Sequence, residues 1–220
     1  MPQSVGKCFH MPTNCAIFLT MTKRPSAHGR LADLPLFFRA DDLAEAGLTR
    51  HQFPSLLRRG EIQRVARGLY RRTDRPVTEM ETLLMVASMV PNGIFCLLTA
   101  LRVHEIGTQS PAEVWVAIEH KAREPKIRPW KGRFLRWTGV SLTYGVEERI
   151  VEGVRFRITS PARTIVDCFR FRNKIGLDVA LEALHDGLRT NSVAVGEITR
   201  AAQACQAWTV IKPYLESAVA

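Results

Sequence analysis

The sequence predicts an α+β fold: an N-terminal winged helix-turn-helix, then a mixed α+β domain whose small sheet is flanked by helices. Three observations predict it. Two apolar helical runs are separated by Gly47, a glycine-centred hairpin follows Gly60, and beyond Pro76 helical and strand-like runs mix. A length of 220 residues accommodates two domains. The expected division is a leader over 1–30 with no assigned function, a winged helix over 31–73 and an α+β domain over 74–220.

Within the first domain, Leu31 to Phe37 suits a short helix broken around Pro35. A second helix from Ala40 to Glu45 turns Phe38, Leu43 and Ala46 inward and stops at Gly47. Thr49 is an expected N-cap for a third helix through Arg59, with Phe53, Leu56 and Leu57 on one face. Pro54 falls in its first turns, where a missing N–H costs little. Gly60 ends that helix, and Ile62, Val65, Leu69 and Tyr70 around Gly68 read as two short strands.

Charge gives this domain its candidate chemistry. The chain carries a formal net charge of +10, which points to a polyanionic partner, nucleic acid before anionic membrane. From Arg50 to Arg72 stand Arg50, Arg58, Arg59, Arg64, Arg67, Arg71 and Arg72 against one acid, Glu61. A helix fits the major groove of duplex DNA and needs a polar, basic outer face to read it. Thr49, Arg50, His51, Gln52, Ser55, Arg58 and Arg59 supply that face. Arg50 suits guanine and Gln52 adenine. The wing arginines Arg64, Arg67, Arg71 and Arg72 are expected along a phosphate backbone or in a minor groove.

The second domain reads as helices at 78–90, 97–104, 160–171, 177–190, 197–206 and 213–219. Strands are expected at 114–118, 133–137, 147–151 and 155–158, with Glu152-Gly153 as a hairpin tip. Ser160 caps a helix with proline in its first turn, and Arg163 and Asp167, four apart, can pair. Leu181, Leu184 and Leu188 form a core stripe. A second basic run holds Lys121, Arg123, Lys126, Arg128, Lys131, Arg133 and Arg136, with Trp130 and Trp137 nearby. It suits either nucleic acid or an acidic protein, or is a solvated loop with its tryptophans in the core.

The runs Leu43-Ala44-Glu45-Ala46-Gly47-Leu48-Thr49-Arg50, Leu56-Leu57-Arg58-Arg59-Gly60-Glu61-Ile62 and Arg64-Val65-Ala66-Arg67-Gly68-Leu69-Tyr70 resemble the N-terminal domain of AbiEi-type antitoxins of type IV toxin–antitoxin systems. Downstream, Ser160-Pro161-Ala162-Arg163-Thr164-Ile165-Val166-Asp167, then Gly176-Leu177-Asp178 with Ala180-Leu181-Glu182-Ala183-Leu184, and Lys212-Pro213-Tyr214-Leu215, are similar to the family's second domain. The resemblance spans residues 31–220. It implies a repressor of its own promoter, bound to double-stranded DNA and pairing as two copies on inverted repeats. It also implies neutralisation of a nucleotidyltransferase-like toxin by the second domain. A stand-alone winged-helix regulator is one alternative the sequence leaves open; a metal-dependent nuclease using Glu119 and Lys121 and a non-DNA interaction module are the others.

Other chemistry finds little support. Cys8, Cys15, Cys96, Cys168 and Cys205 are scattered without a C-x-x-C pair, which fits a reducing cytoplasmic setting and no zinc site. The apolar patch Cys15–Leu19 is too short to span a bilayer. Glu119-x-Lys121 after a strand resembles half of a metal-dependent nuclease core but lacks a convincing further carboxylate. Phosphate-loop, zinc-protease and nucleophile-elbow motifs do not occur. The expectation is a non-enzymatic protein with no cofactor or metal.

Overall fold

A computed structural model of the chain describes residues 31–78, 80–125 and 131–219. The expected leader, Cys8, Cys15, Lys126, Arg128 and Trp130 lie outside those residues. The N-terminal unit runs β1 (Phe37–Arg39), α1 (Asp42–Glu45), α2 (Phe53–Arg58), β2 (Ile62–Ala66) and β3 (Leu69–Arg72). Its antiparallel strands stand in the order β1-β3-β2. Two helices, a hairpin and a short leading strand make this a winged helix-turn-helix. One local expectation changes. Residues 37–39 do not extend a helix from Leu31, because they pair with β3, Phe38 opposite Tyr70.

The turns that end the two helices follow from two glycines. Gly47 has φ 68°, its N–H bonds Ala44 O at 3.0 Å, and the Leu48 N–H bonds Leu43 O at 2.8 Å. Gly60 has φ 71° and repeats the pattern: its N–H bonds Leu57 O, and the Glu61 N–H bonds Leu56 O, both at 3.1 Å. This is the Schellman ending of a helix, which needs a left-handed residue just past the cap. A side chain at either glycine would strain its own turn.

The second unit begins with α3 (Glu81–Met89), β4 (Ile94–Phe95), α4 (Leu97–Val103), β5 (Val114–Glu119) and β6 (Gly132–Trp137). A 3-10 turn at Gly139–Leu142 precedes β7 (Val146–Val151) and β8 (Val154–Thr159). The chain ends in α5 (Pro161–Arg170), α6 (Arg172–Ile175), α7 (Leu177–Arg189), α8 (Val195–Ala204) and α9 (Trp208–Val219). The five strands stand in the order β6-β5-β4-β8-β7. Pairs β5–β6 and β4–β8 are parallel, and β4–β5 and β7–β8 antiparallel. Every helix and strand expected after Pro76 is present. The central β4, two residues long, was not expected.

Alternation buries both faces of this sheet. Trp115, Ala117, Leu135 and Trp137 face a core shared with Ile165, Phe169, Leu184 and Ile198 of the helical layer. Val116, Ile118, Phe156 and Ile158 face the other way, toward Leu84 and Val86 of α3. Leu36, Phe37 and Leu69 of the N-terminal unit belong to this second core, with Val65 and Ala66 against it. The opposite face of the wing sheet contributes Phe38 and Ile62, with Tyr70 packed beside them, to a third core under Leu43, Leu48 and Leu56. The wing sheet is therefore covered twice, by its own helices and by α3.

Two arginines explain how. Arg71, only 6% exposed, places Nε 2.8 Å from Glu81 Oε1 of α3 and donates to the Arg75 carbonyl at 3.0 Å. Arg72, 5% exposed, donates to Asp74 Oδ1 at 3.0 Å and to the Ala32 carbonyl at 2.7 Å, and also bonds Leu34 O. The hydrogen bond from Arg72 holds the Asp74 carboxyl below its ordinary range. A third tie joins Leu36 N to Glu152 O at 2.9 Å, in the β7–β8 turn.

The Ser160–Asp167 segment is likewise structural. Ser160 Oγ accepts from Arg163 N at 3.4 Å and caps α5. Arg163 and Asp167 are fully buried and pair at 2.7 Å, while Arg163 also donates to Tyr144 O at 2.7 Å and lies over the Trp137 ring. Cys96 and Cys168 are core residues whose thiols burial pushes up. None of the described helices is long and apolar enough to cross a membrane.

His104 and the joint give two predictions. His104 Nε2 lies 2.6 Å from Thr159 O and Nδ1 3.2 Å from Arg149 Nη2, and burial lowers its pKa below 6.5. The unfolded chain then binds the extra proton first, so stability should fall as pH drops through 6.5 toward the lower folded value. His104→Gln should flatten urea-unfolding stability across that window; an unchanged slope would remove His104 from the account. Glu81→Ala should leave Arg71 buried and unpaired and cost about 3 kcal/mol. In the parent chain, wing-region and second-unit probes should unfold together in denaturant, and separate transitions would contradict the shared core.

Candidate nucleic-acid interface

The structure divides nine of the eleven expected DNA-contacting residues into three groups. Thr49, Arg50 and His51 are exposed in a turn that precedes α2, with Gln52 half-buried beside them. Ser55 is half-buried and Arg58 exposed on α2, and Arg59 caps it. Arg64 and Arg67 are exposed on the wing. Arg71 and Arg72 do not join them. β3 is the central strand of its sheet, so its side chains point into one core or the other, and both guanidinium groups are consumed by the joint. The basic run could not show this, because exposed and buried arginines look alike in sequence.

The helix expected to read DNA, α2, is also shorter than expected. It starts at Phe53, and its N-cap is Gln52 rather than Thr49. Residues 49–52 form a turn closed by Gln52 N to Thr49 O at 3.0 Å. Gln52 Oε1 accepts from Thr49 N at 2.8 Å and from Thr49 Oγ1 at 3.2 Å, which locks the turn. That bond qualifies the pairing with adenine. A two-point contact needs the Gln52 oxygen as well as its amide, and the oxygen already serves two donors. Arg50, 90% exposed, meets only Asp41 at 3.9 Å, so it is free to turn outward.

Neighbouring contacts hold the rest. Arg59 donates to Ser55 Oγ at 2.7 Å and pairs with Glu61 at 3.3 Å, so Ser55 and Arg59 act as one unit. Phe53 stands edge-on to Tyr70, centroids 4.7 Å apart, and fixes α2 against the wing. Tyr70 is opposite Arg64 in the strand register, which sets Arg64 beside the start of the helix. Arg67 and Gly68, with φ 74°, form the wing tip. Among the described residues Arg58 and Arg67 have no ion pair or hydrogen bond. The face presented by turn, helix and wing is therefore positive: Arg58 and Arg67 are joined there by Arg50, loosely paired with Asp41, and by Arg64, whose Nε donates to the Ala66 carbonyl at 3.4 Å.

Residues 31–73 match the family of AbiEi antitoxins, described as transcriptional regulators. That AbiEi-type segment coincides with the winged helix just described. The chain is similar in fold to the crystal structure of the RV2827C protein from Mycobacterium tuberculosis, at TM-score 0.58 and 14% identity. The likeness covers 88% of this chain and 78% of that one, and at this identity it concerns the fold alone. No curated protein matches the sequence.

The second basic run is partly neutralised. Arg133 pairs with Glu113 at 2.7 Å and lies over the Trp115 ring. Arg136 reaches Glu124 at 4.0 Å and the His120 carbonyl at 3.1 Å. Trp137 is in the core. Glu119 and Lys121, the pair with a nuclease-like spacing, are exposed at the end of β5. Among the described residues no three His, Cys, Asp or Glu side chains are grouped to hold a metal.

Gln52→Ala should lose the clasp on Thr49 and destabilise the fold by about 1 kcal/mol, the usual net worth of a hydrogen bond. Gln52→Glu keeps the acceptor and should stay near parent stability in thermal unfolding. Equal losses in both would show that the clasp contributes nothing.

Proposed function

We propose that the chain is a DNA-binding antitoxin that represses its own operon through the AbiEi-type winged helix. Its second domain would counteract a nucleotidyltransferase-like toxin, and no catalysis by this chain is invoked. The observation that carries the reading is the set of exposed arginines Arg50, Arg58, Arg64 and Arg67 on turn, helix and wing of a segment matching AbiEi regulators, of which only Arg50 meets an acid, Asp41 at 3.9 Å. A helix start locked by Gln52 and flanked by Arg50 and Arg64 suits base edges in a major groove, with Arg67 on the adjoining phosphates. Pairing of two copies on an inverted repeat belongs to the same proposal, as does a cytoplasmic setting. A stand-alone regulator uses the same interface and differs only in lacking a toxin.

The test is binding of the full chain to its own upstream duplex across a salt series, with random duplex as competitor. Selective, salt-sensitive binding is expected. Arg50→Ala should lose about 1–3 kcal/mol of discrimination while retaining general affinity, and Arg67→Ala should weaken all sequences and reduce the salt slope by about one. Retained discrimination in Arg50→Ala would remove the turn as reader, and no binding at low salt would remove the DNA reading altogether.

A further inference from the structure

We infer that β7 (Val146–Val151) is a docking edge for a second copy of this chain, which adds its own β7 antiparallel about a two-fold axis through Glu148. Such a dimer rests on the pairing of two copies proposed above, gives it an interface, and is independent of the DNA contacts. Four strands stand at sheet edges among the described residues: β1 and β2 in the wing sheet, β6 and β7 in the larger one. An edge strand presents unpaired N–H and C=O groups that template another chain, and proteins blunt such edges with short strands, bulges or charged side chains. Three of the four are blunted here. β1 has three residues, and β2 shifts register between Arg64 and Ala66. β6 carries Arg133 and Arg136 and no acid, so two copies of it repel. By contrast, β7 is six residues long, pairs with β8 in unbroken register and carries both signs of charge. Among the described residues its backbone makes no hydrogen bond beyond the β7–β8 ladder.

The sequence of β7 is complementary to itself. Side chains alternate along a strand, so Glu147, Arg149 and Val151 share one face and Val146, Glu148 and Ile150 the other. Residues directly opposite in an antiparallel pair lie on the same face, and a two-fold axis makes every contact mutual. Centred on Glu148, the pairing sets Glu147 opposite Arg149 of the second copy, and Val146 opposite its Ile150, each contact occurring twice. Ile150 is 63% exposed, whereas Val146 and Val151 pack against the cores, so the pairing covers an aliphatic side chain that one copy leaves in water. Glu147 and Arg149 pair within one chain at 3.0 Å on an exposed surface, and can exchange partners across the edge. Glu148 meets its own copy, but Arg155 holds each carboxylate at 2.9 Å, so the acids arrive neutralised. Centring on Arg149 would set guanidinium against guanidinium and Glu147 opposite Val151. Centring on Glu147 would set carboxylate against carboxylate and Val146 opposite Glu148. The Glu148 register alone of these three matches opposite charges on one face and aliphatic groups on the other. Glu152, whose carbonyl accepts from Leu36 N, lies past the paired stretch. The resulting dimer carries two winged helices related by a two-fold axis, the symmetry of an inverted repeat.

The experiment is analytical sedimentation of the full chain, without DNA, over a concentration series. The parent should reach twice the mass of one chain. Ile150→Lys, at an exposed position, should remain monomeric. Glu147→Arg and Arg149→Glu should each be monomeric alone, because the cross-strand pair then has like charges. Mixed in equal amounts they should form a dimer of one of each, because opposite charges face again; that recovery also shows both variants to be folded. A monomeric parent overturns the interface, and its selective binding to the upstream duplex would leave the winged-helix reading intact. A dimer that persists in Ile150→Lys or in both charge variants overturns the interface, as does a mixture that stays monomeric. A dimeric parent that binds no DNA supports the interface and removes the DNA reading instead.

Discussion

A three-stranded sheet with apolar side chains on both faces must be covered on both, and this constraint governs the protein. Phe38 and Ile62 look one way, with Tyr70, toward α1 and α2; Phe37 and Leu69 look the other way, toward α3. Within the same short strand Arg71 and Arg72 have no water to face and must find partners. Glu81 satisfies the first, and Asp74 with the carbonyls of the residues before β1 satisfies the second. A buried charge left without its partner is among the larger penalties in a fold, so the wing is held at both faces.

The rigidity has a functional side. Bases are discriminated only if the reading groups arrive in a fixed position, and here that position is set in two stages. Locally, the Gln52 clasp and the two Schellman turns fix the path of the chain into and out of α2. Globally, the joint with α3 fixes the winged helix against the second domain. In this arrangement the domain that would face a toxin shares a core with the sheet that supports the reader. An event at one is placed to be felt by the other through packed side chains.

Much of this was legible in the sequence, for identifiable reasons. Gly47 and Gly60 mark helix ends because only a left-handed residue completes those turns, and Ser160-Pro161 marks a helix start by its capping chemistry. The alternating apolar strands at 114–118 and 155–158 announce themselves by period. The short elements were hidden: β1 is three residues and β4 two, too brief for any period to register. The start of α2 was misplaced because Thr49 is a good cap by type, whereas the helix begins at Phe53 and the Gln52 side chain reaches back to Thr49. The division of the arginines into free and buried was hidden for a deeper reason. It depends on which strand becomes central and on α3, whose Glu81 meets Arg71 from ten residues away.

The central claim is that the turn, helix and wing of residues 49–67 dock on duplex DNA as one positive face. A hydroxyl-radical footprint of the full chain on its own upstream region tests this most directly. The account predicts a salt-sensitive protected window on both strands, which shrinks or disappears when Arg50 and Arg67 are both replaced by alanine. Protection that persists unchanged in that variant, or no protection by the parent chain, would contradict it.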